Sequence, residues 1–215
     1  MKKLLINVIC LVFILPTIKS QEYNKELDSL QIIKMIEKLR TSYLKAINND
    51  TIEYMIEFFE IFPNNFSLYT QIYDCNKVVI CGEQQNTLCY ESHSHFKFLY
   101  NLRHIINKED YYKKIIKLGI NGYWDADAIN DLQHCIYKCI NENLPLTIET
   151  LKSFTDDEIE SFWYFIYDGP LRTEKLPVDI ESIRKLDKHI ADLAKKALDR
   201  AKKNVDENGV YKFRN

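Results

Sequence analysis

The chain has 215 residues, 46% of them hydrophobic, with 29 basic against 31 acidic side chains and a formal net charge of −2. That length and apolar share suffice for one domain with a sizeable core. The slight acidity excludes nucleic acid as the default partner, because phosphate binding needs clustered Lys and Arg.

Residues 1–20 read as an export signal. Lys2 and Lys3 supply the positive start, Leu4 to Leu15 is apolar except for Asn7 and Cys10, Pro16 breaks the run, and Ser20 offers a cleavage point before Gln21. The run is too short for a stable membrane anchor. Cys10 does not fit a lipoprotein signal, since Ile9 stands where a small residue is needed. Cleavage removes three lysines and leaves residues 21–215 as a single α-helical domain with 26 bases against 31 acids, a charge of −5. No later apolar segment approaches membrane length, so a periplasmic or secreted protein without stable membrane insertion is expected.

Glu22 to Asn48 reads as a first helix with Leu30, Ile33, Ile36, Tyr43, Leu44 and Ile47 on its inner face. Asp50 with Glu53 predicts a capped start for a second helix, whose Tyr54, Phe58, Phe59 and Phe62 form an aromatic face ended by Pro63. A short helical turn follows from Ser67. Asp74 to Ser92 breaks the pattern: Lys77 to Cys81 has β character, Gly82 to Asn86 reads as a polar loop, and Thr87 to Tyr90 reads as a return strand or an irregular loop. The helical period resumes from Phe96 to Ile106, and Asn107 with Asp110 starts a helix that stops at Gly119.

Gly122 to Asn143 is predicted as the helix around which the others pack. Ala128, Ile129, Leu132, Cys135, Ile136, Cys139 and Ile140 fall three and four apart and make one buried stripe. Asp125 is expected as its N-cap, with Trp124 stapled to Ile129. Pro145 and Thr147 mark a break. Thr155 to Glu158 is a capping box opening a strongly aromatic helix through Tyr167, which Asp168-Gly169-Pro170 terminates. Its rings Phe162, Trp163, Tyr164, Phe165 and Tyr167 cannot all face one side, so one is expected at the surface or under a loop. Pro177 opens a last amphipathic helix carrying Ile180, Ile183, Leu186, Ile190, Leu193, Ala197 and Leu198, which ends near Asn208-Gly209. The fold class is therefore all-α, a single-domain multi-helix bundle with a small disulfide-pinned hairpin or loop insert.

Five cysteines remain after cleavage: Cys75, Cys81, Cys89, Cys135 and Cys139. In an exported protein they are read as disulfide-forming, with one left over. Cys135 and Cys139 lie one helical turn apart, too far to bond each other in a regular helix, so each needs a partner elsewhere or stays free. The preferred arrangement is Cys81 with Cys89, and Cys75 with Cys135 or Cys139, the long loop adding roughly 4 kcal/mol.

Several chemistries are weighed against simpler readings. His93, His95 and His134 lie near cysteines, but their spacing matches no zinc framework, and surface histidines beside disulfides fit better. A cysteine nucleophile needs an activated thiolate with a histidine in reach, which no motif specifies. Asp125, Asp127, Asn130 and Asp131 lack the glycine of a calcium loop, and Ile129 occupies a ligand position, so helix capping accounts for the acids. Glu158 and Glu160 beside aromatic rings suggest a glycosidase cleft, but Glu158 fits as cap partner and Glu160 as a solvated residue. No catalytic, cofactor-binding or metal residue is assigned, and no cofactor is expected.

Three stretches carry a resemblance: Phe58 through Phe66 (FFEIFPNNF), Gly122 through Ala128 (GYWDADA), and Ser161 through Phe165 with Asp168-Gly169-Pro170. Together they resemble a group of small exported proteins from Bacteroidales-type bacteria, over roughly residues 50–175. Some members look like immunity proteins against toxins exchanged between bacteria. The resemblance implies a non-enzymatic binding protein that neutralises a toxin or effector, and it carries over no catalytic residue. Candidate partner contacts are Glu83, Gln84 and Gln85 in the insert, and Asp156 and Asp157, acids suited to a basic toxin surface. The alternatives are a cell-wall or glycan hydrolase and a structural envelope-associated protein.

Overall fold

Ten α-helices and one small hairpin build the protein, a computed structural model that describes residues 29–49, 51–75, 79–81, 84–169, 176–205 and 211–212. The export signal and its cleavage point lie outside the described residues. The helices are α1 (Ser29–Asn49), α2 (Ile52–Ile61), α3 (Phe66–Tyr73), α4 (Ser92–Asn101), α5 (Lys108–Gly119), α6 (Ala128–Glu142), α7 (Leu144–Leu151), α8 (Asp156–Tyr167), α9 (Ile180–Arg184) and α10 (Lys188–Ala201). Strands β1 (Val79–Cys81) and β2 (Gln84–Asn86) pair antiparallel, with Ile80 opposite Gln85. The fold is all-α with a small insert, as the periodicity predicts.

The predicted stripe of α6 is buried along its whole length, from Ala128 to Ile140. The most enclosed element is nevertheless α8. It packs on α5 and α6 and is covered by α10, and Phe162, Trp163, Tyr164, Phe165 and Tyr167 are all buried. None of these rings is at the surface; the other expected placement, under a loop, is met by Tyr167, which lies against the segment around Val178 ahead of α9. The tyrosine hydroxyls still find partners: Tyr167 donates to the Val178 carbonyl at 3.1 Å, and Tyr164 accepts from Asn204 Nδ2 at 2.7 Å. Burying such large rings makes this the energetic centre of the fold, with both tyrosine hydroxyls bonded, while the Trp163 Nε1 has no partner among the described residues.

Several boundaries differ from expectation for identifiable reasons. In α1 the buried residues are Ile32, Ile36, Leu39, Ser42 and Ala46, while Leu30, Leu44 and Ile47 are exposed. Ser42 turns inward because its hydroxyl bonds the Leu39 carbonyl at 3.0 Å, and Ala46 is small enough to face a neighbour closely. Thr51, not Asp50, sits at the N-cap of α2. The break expected near Pro145 falls at Asn143, between α6 and α7; Pro145 itself occupies the first turn of α7, where its missing N–H is harmless, and Asn143 caps that helix through Leu146 N at 3.1 Å. The last predicted helix is two: Asp179 caps α9, and Asp187 caps α10 through Ile190 N at 3.0 Å, so Leu186 falls in the exposed joint between them. The capping box of Thr155 and Glu158 and the Asn107 cap of α5 form as the sequence predicts.

The insert follows other rules than those predicted. Its second strand is Gln84–Asn86, within the stretch read as a polar loop, and Cys89–Glu91 is a short 3-10 turn. Cys75 bonds Cys89, with 5.2 Å between their Cα atoms, while Cys135 and Cys139 are free buried thiols. The expected Cys81–Cys89 and Cys75–helix bridges do not form. The stripe of α6 faces α4 and α5, and its thiols meet the Phe96 carbonyl and the Tyr111 hydroxyl there without forming a disulfide. The side chain of Cys81 lies outside the described residues. A bridge closing a loop of 14 residues' separation stabilises by about 2–3 kcal/mol. Cys75→Ser is expected to lower the urea midpoint by the equivalent of that energy, and reductant to do the same to the wild type but not to the variant.

Candidate functional site

The loop from Ile120 to Asp127, between α5 and α6, is laid flat on α8 by two glycines. A Cβ on Gly119 would stand 2.8 Å from the Phe162 ring, and one on Gly122 would stand 2.6 Å from the Phe165 ring. Between them Asn121 takes a left-handed backbone, φ 59°, and donates its N–H to Ser161 Oγ at 2.8 Å. Asn-Gly is a turn signal that tolerates this conformation. The loop is thus pinned from below and leaves a channel on each side.

On one side a cavity of about 450 Å³ is bounded by Asn64, Ser67, Lys117, Asn121, Tyr123 and Glu158. On the other a cavity of about 500 Å³ is bounded by Asn121, Asp157, Glu160, Ser161, Tyr164 and Arg200. Asn121 lines both, so the two adjoin at the Ile120–Tyr123 loop and are taken together as one polar groove. All three stretches that carry the resemblance contribute walls: Asn64 to Phe66, Gly122 and Tyr123, and Ser161 and Tyr164. Phe66 holds them together, with its ring edge-on to Tyr123 at 5.1 Å and to Phe165 at 5.4 Å.

Glu160 is not a solvated residue. It is 7% exposed and bonded to Lys196 at 2.6 Å and Arg200 at 3.1 Å. The Arg200 guanidinium in turn lies 4.0 Å from the centre of the Tyr164 ring. Glu158 Oε2 accepts from both the backbone and the hydroxyl of Thr155. Both carboxylates therefore hold structure together, which leaves neither placed as the acid or nucleophile of a glycosidase.

Behind the groove, Asp168 is fully buried and, among the described residues, takes donors from Trp124, Asn204 and Tyr211 in remote segments. Trp124 N lies at 2.8 Å, Asn204 Nδ2 at 2.8 Å, and the Tyr211 hydroxyl at 3.0 and 3.1 Å from its two oxygens. Gly169, at φ 135°, lies against the Trp124 ring, where a Cβ would come within 2.9 Å. Trp124 thus packs on Gly169 and on Tyr211, whose ring is 4.9 Å away. Asp125 is correspondingly not the N-cap. It bonds only Ala126 N, and Asp127 with φ 57° precedes the helix.

The sequence candidates are distributed as follows. Asp157 lines the groove. Asp156 points away to His189, with Nε2 at 2.8 Å from its Oδ1. Gln84 and Gln85 lie on β2, paired with Cys81 and Ile80, and Glu83 is outside the described residues. Cys135 is held as a thiol, its pKa pushed up by a hydrogen bond to Cys139 and by burial, which opposes a nucleophilic role. Asp131 accepts from Ser92 Oγ at 2.6 Å. His95 is not a surface histidine: it is fully buried, with Nδ1 2.8 Å from the Tyr73 hydroxyl.

Lys117, Asn121 and Arg200 were not marked by any sequence motif, although Asn121-Gly122 carries its turn signal openly. No family model, curated protein or solved structure matches the chain.

Proposed function

We propose that the protein is an exported, non-enzymatic binding protein that neutralises a delivered toxin by seating a basic loop of it in the groove around Asn121. The observation that carries this reading is the groove itself: a polar channel whose floor is fixed against Phe162 and Phe165 and whose walls include residues of the three stretches that resemble small exported proteins, some of them immunity-like. A preformed surface binds without first ordering its own residues, which favours affinity. Asp157, exposed at the start of α8, gives the groove an acid for a basic segment to meet, beside the cations Lys117 and Arg200 of its own walls. The Cys75–Cys89 bridge is consistent with an oxidising compartment. Among the described residues no helix is long and apolar enough to cross a membrane.

Immunity genes usually stand beside the toxin gene they answer, so the neighbouring toxin is the partner to purify. Calorimetric titration is expected to give a one-to-one complex. Asp157→Lys combined with Asn64→Lys is expected to weaken it about 100-fold, since like charges set against a basic surface cost several kcal/mol. Glu37→Lys, an exposed change on α1, should leave the affinity unaltered. A groove variant that binds as tightly as the wild type would remove the assignment.

A further inference from the structure

A second cavity, independent of the groove, lies between α4 and α6. On α4 it is lined by residues 93, 96, 97 and 100, and on α6 by residues 131, 134, 135 and 138. The two sets repeat the same spacing, which places each on one helical face. The helices face each other across a slot of about 250 Å³.

The slot is apolar below and basic above. Its floor is Phe96 and Cys135, both nearly inaccessible. The Cys135 thiol is turned down to the Phe96 carbonyl at 3.8 Å, so it presents sulfur rather than a free donor to the cavity. One end is closed by the Tyr100 ring, fixed by its hydroxyl on Glu142 Oε2 at 2.7 Å and by the Arg103 guanidinium 3.7 Å from the ring centre. At the mouth are His93, Lys97, His134 and Lys138.

The charges there do not cancel. Asp131 is the one acid lining the slot among the described residues, and Ser92 at 2.6 Å and His93 at 3.3 Å already engage it. Glu142, beyond Tyr100, is bound to Arg103 at 2.6 Å. Lys97 and Lys138 are exposed and have no carboxylate partner among the described residues; the Lys138 ammonium stands 5.7 Å from the Tyr100 ring. A basic mouth over an apolar floor is the local opposite of a chain that carries more acids than bases.

We propose that this slot binds a small amphiphilic anion, a carboxylate with a five- or six-carbon aliphatic or single aromatic body. The apolar body lies on Phe96 and Cys135, and the carboxylate sits between Lys97 and Lys138. The size follows from the volume: at about 30 Å³ for each water-sized group, 250 Å³ holds about eight such groups. The sign follows from the two uncompensated ammonium groups, and the preference for an amphiphile over inorganic anions follows from the floor.

The test is calorimetric titration of the full mature chain, at neutral pH, with hexanoate, benzoate, hexan-1-ol and hexylamine. Hexanoate and benzoate are expected to bind once per chain, hexan-1-ol more weakly, and hexylamine not at all. Lys97→Met with Lys138→Met keeps the alkyl stems and removes both charges. It should weaken hexanoate about 30-fold, the factor expected for losing charge-assisted hydrogen bonds, and leave hexan-1-ol unchanged. Lys113→Met, on the exposed face of α5, should leave both affinities as they are. Thermal melts of the variants, expected to match the wild type, show that any loss is local. The proposal is overturned if neither carboxylate saturates, if hexylamine binds as tightly as hexanoate, or if the double lysine variant keeps wild-type affinity.

Discussion

Asp168→Ala is expected to cost about 3–5 kcal/mol, because it strands three buried donors at once. The Trp124 N–H, the Asn204 amide and the Tyr211 hydroxyl come from three separate segments and meet only at this carboxylate. Removing it therefore loosens the loop that floors the groove, the end of α10 and the tail together. For a domain of this size the melting temperature should fall by roughly 10 °C or more. Asp168→Asn should be milder but still destabilising, since its NH₂ must face a donor. Tyr211→Phe, which leaves the other two donors bonded, should cost about 1 kcal/mol. Tryptophan fluorescence would follow Trp124 as the clamp opens; an Asp168→Ala protein that melts with the wild type would show that the clamp carries no stability.

The second large effect is acid sensitivity centred on His95. Burial, with the nearby Arg40 charge as a lesser cause, lowers its pKa from 6.5 to about 4. The Tyr73 phenol is held protonated by its own burial, so it donates to Nδ1, and the imidazole proton sits on Nε2, which has no partner among the described residues. The ring is enclosed by Tyr43, at 4.4 Å between centroids, and Phe58 at 5.6 Å. The native state therefore resists protonation in a window where the unfolded chain accepts it. Stability from this site is complete above pH 6.5 and is lost as pH falls towards 4, by about 3 kcal/mol in all. Urea midpoints at pH 7, 5.5 and 4 measure it. His95→Phe should be less stable than the wild type at pH 7, because Tyr73 loses its acceptor, yet it should lose less than the wild type on acidification. Equal acid losses in both proteins would place the sensitivity elsewhere.

The sequence was most legible where one periodicity met one neighbour. The stripe from Ala128 to Ile140 and the caps at Asn107 and Thr155 are local features, and local physics determines them. It was least legible where distant segments decide. Ser42 and Ala46 replace Leu44 and Ile47 on the buried face of α1 because a neighbouring helix, not hydrophobicity, sets the rotation. Beyond its exposed acidic first turn, α8 is enclosed from Ile159 to Tyr167 with only Ser161 partly exposed, so no polar stripe there reveals its burial. Cysteine pairing depends on which chain ends meet, and the Asp168 clamp needs Trp124, Asn204 and Tyr211 brought together from three regions. The groove lay between these extremes: the stretches that wall it stood out as wording, but only folding shows that they converge on Asn121. Asp157 is in it, Asp156 is turned to His189, and Glu160, read as solvated, is pinned by Lys196 and Arg200.

Amide hydrogen exchange on the protein, alone and with the proposed toxin partner, tests most directly whether the groove is where this molecule acts. Protection should concentrate at residues 64–67, 120–123 and 157–161. Protection confined instead to the exposed apolar residues of α1 and α2, Leu44, Ile47, Ile52 and Ile56, with the groove exchanging as freely as before, would contradict the account.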